Sequence, residues 1–185
     1  MSKVIGIASE GPTDYLVLKM LIDRITGEEN RYLRLQPEAD MMGRYGNEFP
    51  LYCERSIAGM CLVELPCQSH FYEIKNVINH GMHVLNETIS ISDKSRVIIT
   101  IPCDSTDAWI VAAYDDYDEI EKIEDPWRNI IAKRKYYHDV RVRGEKKSIN
   151  TYTIFAEHLV DNWDLVTDKC YSAKLLEQEI CRAFA

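Results

Sequence analysis

The sequence predicts an α/β protein: a mainly parallel four-stranded sheet flanked by helices and followed by a helical C-terminal part. Three observations predict it. Short apolar runs alternate with amphipathic helical patterns over the first hundred residues, the arrangement that gives parallel strands joined by right-handed crossovers. Residues 96–101 (RVIITI) form a nearly continuous β-branched run, as suits a central strand covered on both faces. Beyond Pro102 the apolar spacing is mainly helical.

The first strand is expected at 3–9 (KVIGIAS). Pro12 then stands where the first residue of a helix belongs, and Asp14 falls in its first turn, favourable against the helix dipole. Tyr15, Leu18, Ile22 and Ile25 mark an apolar stripe that carries this helix to about Thr26, and Gly27 ends it. Residues 31–36 (RYLRLQ) alternate as a second strand, 37–58 form a long loop with room for a short helix, and 60–65 (MCLVEL) form a third strand ended by Pro66. A long amphipathic helix covers 69–91 and leads to the strand at 96–101. Asp104 or Ser105 caps the next helix, which runs through Trp109 and Ala113. Pro126 starts another, with Trp127, Ile130 and Ile131 inward and the basic residues outward. Asn150 or Thr151 caps a third, with Phe155, Leu159 and Trp163 at four-residue spacing, and 171–184 close the chain. The expected division is an α/β domain over 1–116 and a helical extension over 117–185 packed on it.

With 185 residues, 46% hydrophobic and 10% aromatic, the chain has the composition of a globular domain and not of a disordered one. No apolar run approaches the roughly 20 residues of a membrane span, and the N-terminal segment lacks a signal-peptide pattern, so the expected location is the cytoplasm. The six cysteines are irregularly spaced without a C-x-x-C, and read as reduced, mostly buried small hydrophobes. A net charge of −8 excludes a global basic field. Locally, however, an acidic block from Asp104 to Asp125 is followed by a basic one from Arg128 to Lys147.

Glu10 stands at the end of the first strand, where a tight turn has no need of a glutamate, and Asp104 follows the fourth. In a parallel sheet both would collect at the carboxyl edge, with Asp107 a few residues on. Mg²⁺ or Mn²⁺ takes oxygen ligands of this kind and often binds through one or two carboxylates plus a substrate phosphate. Each acid also has a plain structural role open to it: a surface carboxylate for Glu10, an N-cap for Asp104, a dipole-favoured first-turn acid for Asp107. Asp115 and Asp116 read as a solvated face. Lys133, Arg134, Lys135, Arg141 and Arg143, interleaved with Tyr136 and Tyr137, fit phosphate contact and base stacking as well as a solvated helix face. Cys67, His70, His80 and His83 are the remaining ligand types, of a kind that suits Zn²⁺, but Gly81 interrupts the second pair and the surrounding residues read as an ordinary amphipathic helix.

The segment "IGIASEGPTDYLVLKMLI" resembles the opening of Toprim and Toprim-like domains, in which a strand ends in a glutamate followed by glycine and a helix. "IPCDSTDAWIVAAYDD" is similar to a second block of uncharacterised Toprim-like families linked to nuclease effectors in bacterial and phage defence. The resemblance implies a Toprim-like, Rossmann-type domain. It implies Glu10 as metal ligand or general acid/base, Asp104 and Asp107 as further metal ligands, and Mg²⁺-dependent phosphodiester chemistry on nucleic acid. It also implies that such a protein works beside an ATPase partner. The D-x-D aspartate pair of those domains is missing here, since the acids in "PCDSTDAW" are three apart. A catalytically degenerate scaffold or regulatory subunit on the same fold is therefore the alternative.

Overall fold

The computed structural model describes residues 3–9, 11–36, 98, 106–133 and 135–185. Its first elements are β1 (Val4–Ala8), α1 (Pro12–Thr26) and β2 (Arg31–Gln36). β1 and β2 pair in parallel, Val4 opposite Arg31 and Ile7 opposite Arg34, with a register shift between Ile7 and Ala8. Pro12 occupies the start of α1, where its missing N–H costs no hydrogen bond. Gly27 ends the helix in the left-handed region at φ 66°, where a side chain would be strained. Asn30 ties the return of the chain to the helix, its backbone N–H and its amide both donating to Asp23 Oδ1. The tyrosine hydroxyl of Tyr32 donates to that same oxygen at 2.7 Å.

The second half begins with α2 (Thr106–Tyr114). A 3₁₀ turn at Ile120–Lys122 leads to α3 (Pro126–Ala132) and to a short antiparallel hairpin, β3 (Tyr136–Tyr137) and β4 (Val140–Arg141). Three helices finish the chain: α4 (Ile149–Asp161), α5 (Trp163–Lys169) and α6 (Tyr171–Phe184). Every residue of α2 from Thr106 to Ala113 is buried. A helix apolar all round needs cover on all sides, and α3, α4 and α5 supply it. α4 and α6 also pack on α1, so the two halves share one core containing Ile5, Ile7, Leu21, Trp109, Phe155 and Trp163.

The expected four-stranded parallel, Rossmann-type sheet is corrected by this architecture. Among the described residues the protein is mostly helical, with two sheets of two strands each, only one of them parallel. The physical reason lies in the second half: the core is closed by helices wrapped around α2, while the strand–helix alternation behind the expectation was confined to the first hundred residues. The anticipated strands at 60–65 and 96–101, apart from the buried Ile98, and the helix at 69–91 lie outside the described residues. No helix of the described residues is long and apolar enough to cross a membrane.

Several local expectations change as well. The cap of α4 is Ser148, whose Oγ accepts from the Thr151 N–H, in place of Asn150 or Thr151. Trp163 opens a separate helix after a break at Asn162. The basic run leaves its helix at Ala132 and turns through the hairpin, with His138 at φ 47° in the loop. Asp115 is drawn inward: it accepts from the Tyr137 hydroxyl at 2.6 Å and pairs with His138 Nε2 at 2.9 Å. Its neighbour Asp116 stays in solvent, paired with Lys169.

Burial gives the protein an alkaline limit. Desolvation pushes the Tyr114 hydroxyl up to about 12, with Asp139 adding to it. Desolvation, and then the hydrogen bonds to Asp23 and Asp115, raise Tyr32 and Tyr137 further. Below the ordinary tyrosine value of 10.0 both folded and unfolded chains keep these protons. Above it the unfolded chain ionises first, so stability is fully present below pH 10 and falls as pH rises toward the folded values. The urea midpoint is expected to be flat from pH 8 to 9.5 and to drop steeply by pH 11, with Tyr114→Phe lessening the slope. A midpoint unchanged to pH 11 would contradict this account.

Candidate functional site

Two acidic side chains from distant parts of the sequence are buried where the N-terminus of α1 meets the N-terminus of α2. Asp14 is 5% exposed and Asp107 1% exposed. They are linked through Thr106, whose hydroxyl donates to Asp14 Oδ1 at 2.6 Å across 92 positions of sequence. Both lie in the first turn of their helices, where the unpaired N–H groups and the dipole favour a negative charge. The chain reaches this pole through a close-packed turn. Ser9 Oγ donates to the Gly11 carbonyl at 2.9 Å. A Cβ on Gly11 would stand 2.9 Å from Asp14 Oδ2, so a larger residue there would make the Asp14 carboxylate shift.

Asp107 is further engaged from the C-terminal half. The Tyr152 hydroxyl of α4 donates to its Oδ1 in a short hydrogen bond. Lys147 places its ammonium 2.6 Å from Oδ2. That lysine stands in the loop before α4, which is held by Trp127 of α3: the indole N–H donates to the Glu145 carbonyl at 2.8 Å. The ammonium also lies 5.9 Å from the Trp127 ring centroid and 5.8 Å from that of Tyr152, within cation–π range. One buried carboxylate thus meets a phenol and an ammonium, and the ammonium in turn lies over two ring faces. Lys147 keeps part of its side chain in solvent, 35% exposed.

Of the residues singled out by the sequence, Asp107 is placed in this pole, while Glu10 and Asp104 lie outside the described residues. Among the described residues no three His, Cys, Asp or Glu side chains are grouped to hold a metal ion. Cys67, His70, His80 and His83 lie outside the described residues. Of the basic set, Lys133, Lys135, Arg141 and Arg143 are exposed on and beside the hairpin, well after α2 in sequence, and Arg134 lies outside the described residues.

Sequence reasoning missed Asp14, Thr106, Lys147 and Tyr152 as partners. Asp14 had an adequate explanation as a first-turn acid, and Tyr152 shares the apolar spacing of Phe155 and Leu159. Lys147 is the last cation of a basic run in which nothing local distinguishes it. The acid-at-N3 position and the glycine before it were the available signals, and both are short.

The polar cluster should be worth measurable stability. Lys147→Met removes the ammonium facing a buried carboxylate and is expected to cost about 2–4 kcal/mol in urea unfolding at pH 7. Adding Asp107→Asn should return part of that loss, because the buried charge goes with its counter-ion. Thr106→Val, nearly the same shape, should cost about 1–3 kcal/mol by withdrawing a donor from buried Asp14. Losses below about 0.5 kcal/mol for both Lys147→Met and Thr106→Val would mean that the pole is solvated and the couplings slight.

Comparison with known proteins finds no match: no protein-family model, no curated protein and no solved structure matches this chain. The Toprim-like resemblance therefore rests on its two sequence segments alone.

Proposed function

We propose that the chain is a metal-dependent phosphodiesterase acting on nucleic acid, with its chemistry at the acidic pole where α1 and α2 begin. The observation that carries this is the Asp14–Thr106 hydrogen bond, which brings together the two chain segments that resemble Toprim-like motifs. In this reading Glu10 is the metal ligand or general acid/base, and Asp104 and Asp107 complete the ligand set. Lys133, Arg134, Lys135, Arg141 and Arg143 meet the phosphate backbone. Asp107 fits Mg²⁺ or Mn²⁺ in donor type, being a hard oxygen ligand. Lys147 stands where a cation would approach Oδ2, so it is the group a metal would displace. Held there, a divalent cation would supply activation of a water and stabilisation of the leaving oxygen. Lys147, partly exposed beside Asp107, would offer its ammonium as a point charge to a non-bridging phosphate oxygen. Tyr152 keeps Asp107 oriented through the hydroxyl.

One observation favours a second reading. Both Asp107 oxygens already have protein partners, as in a structural network that needs no metal. A regulatory subunit that binds a partner such as an ATPase would carry the pole in this form.

Cleavage of plasmid DNA and structured RNA in Mg²⁺ or Mn²⁺ separates the two. Wild type is expected to cut only with metal. Glu10→Ala and Asp107→Asn, checked for folding by circular dichroism, should each lower the rate at least a hundredfold and weaken Mn²⁺ binding. Cutting that survives Glu10→Ala sinks the assigned site. An absence of both cutting and Mn²⁺ binding in folded wild type selects the regulatory reading.

A further inference from the structure

We infer that the β3–β4 hairpin is a stacking platform for single-stranded nucleic acid, an inference that rests on the nucleic-acid reading above and names the form of the substrate. The hairpin is two-faced. Tyr137, Val140 and Val142 are buried, while Tyr136, Arg141 and Arg143 alternate with them and are exposed. Tyr136 and Arg141 are directly opposite in the antiparallel register, so their side chains share the outward face. Tyr136 is 54% exposed, which leaves its ring open to water beside the exposed Lys135 and Arg141. Lys133 and Lys135 are exposed on the approach to β3. Among the described residues none of Lys133, Lys135, Arg141 and Arg143 is in an ion pair.

The platform is held in place. The Tyr137 hydroxyl and His138 Nε2 both bond Asp115 at the end of α2, at 2.6 Å and 2.9 Å. The Val142 N–H donates to the Lys135 carbonyl at 2.9 Å and extends the pairing. A hairpin fixed at its turn and along its ladder presents ring and guanidinium in a set geometry, so little ordering is left for binding. The chemistry selects the ligand. Cations on a protein of net charge −8 attract a polyanion only locally, and four of them match a few consecutive phosphates. A ring standing among those cations needs an open base face, which a single strand offers and a duplex keeps inside its stack.

The test is fluorescence anisotropy of the full chain with a labelled 20-nucleotide single strand, as DNA and as RNA, against the matching DNA duplex, all in EDTA so that no cleavage intervenes. Wild type is expected to bind the single strands at least tenfold more tightly than the duplex, with a log–log salt slope of about −3 for roughly four phosphates. Tyr136→Ala, at an exposed position that leaves the core intact, should weaken single-strand binding roughly tenfold and leave duplex binding unchanged. Arg141→Gln with Lys135→Gln should weaken both. Duplex binding equal to or tighter than single-strand binding, or Tyr136→Ala without effect, overturns the platform and leaves the phosphodiesterase reading to its own cleavage assay. No binding of any nucleic acid in EDTA overturns the platform, and no binding when Ca²⁺ replaces EDTA as well overturns the nucleic-acid reading with it, while metal-dependent cleavage with duplex preference overturns the platform alone.

Discussion

The structure depends on burying one helix on every side. α2 carries the sequence TDAWIVAA, and its residues Thr106 to Ala113 are all inside. Such a helix gains most from packing and also imposes most: no face is left for water, so every polar atom on it has to find a protein partner. Trp109 meets this demand through its indole N–H, which donates to Ser172 Oγ at 2.9 Å. Ser172 is in turn bonded to Glu121, whose carboxylate also accepts the Tyr171 and Ser172 backbone N–H groups at the start of α6. The need to satisfy one buried indole is thereby coupled to the capping of the last helix.

The same constraint shapes the acidic pole. Thr106 and Asp107 sit at the buried entrance of α2, and their partners come from α1, α4 and the loop before α4. A carboxylate in this position would be strongly disfavoured without a counter-charge. Lys147 therefore serves equally as a structural counter-ion and as a cation poised beside a phosphate site. Charge balance at a buried acid is a common requirement of core and catalysis, and this is why the pole invites both readings of function.

What was legible in the sequence follows from how local its cause is. Pro12, the Leu18–Ile22–Ile25 stripe and Gly27 bound α1 correctly because capping and periodicity act within a few residues. RYLRLQ was bounded as a strand for the same reason. The overall sheet was misjudged because apolar runs between helical patterns do not fix how strands pair: among the described residues only β1 and β2 join in parallel, and helices build the shared core. The hairpin was hidden because His138 and Asp139 form its two-residue loop without the glycine that usually marks one. The site was legible at Asp107, whose segment stood out, and illegible at Lys147 and Tyr152, whose roles arise only from contacts between distant segments.

The packing of α1 has a consequence for the order in which the protein is made. Its apolar face is covered by α4 and α6, which begin at Ile149 and Tyr171. At ribosomal speeds of about 5–20 residues per second, the first helix waits on the order of ten seconds before its cover exists. During that interval Val17, Leu21 and Ile22, all fully buried at the end, are without their final neighbours. Contacts closed over such separations also form slowly once the chain is complete, because loop closure precedes the reward. The N-terminal helix therefore acquires its final packing only after Ile149–Asp161 and Tyr171–Phe184 have been made.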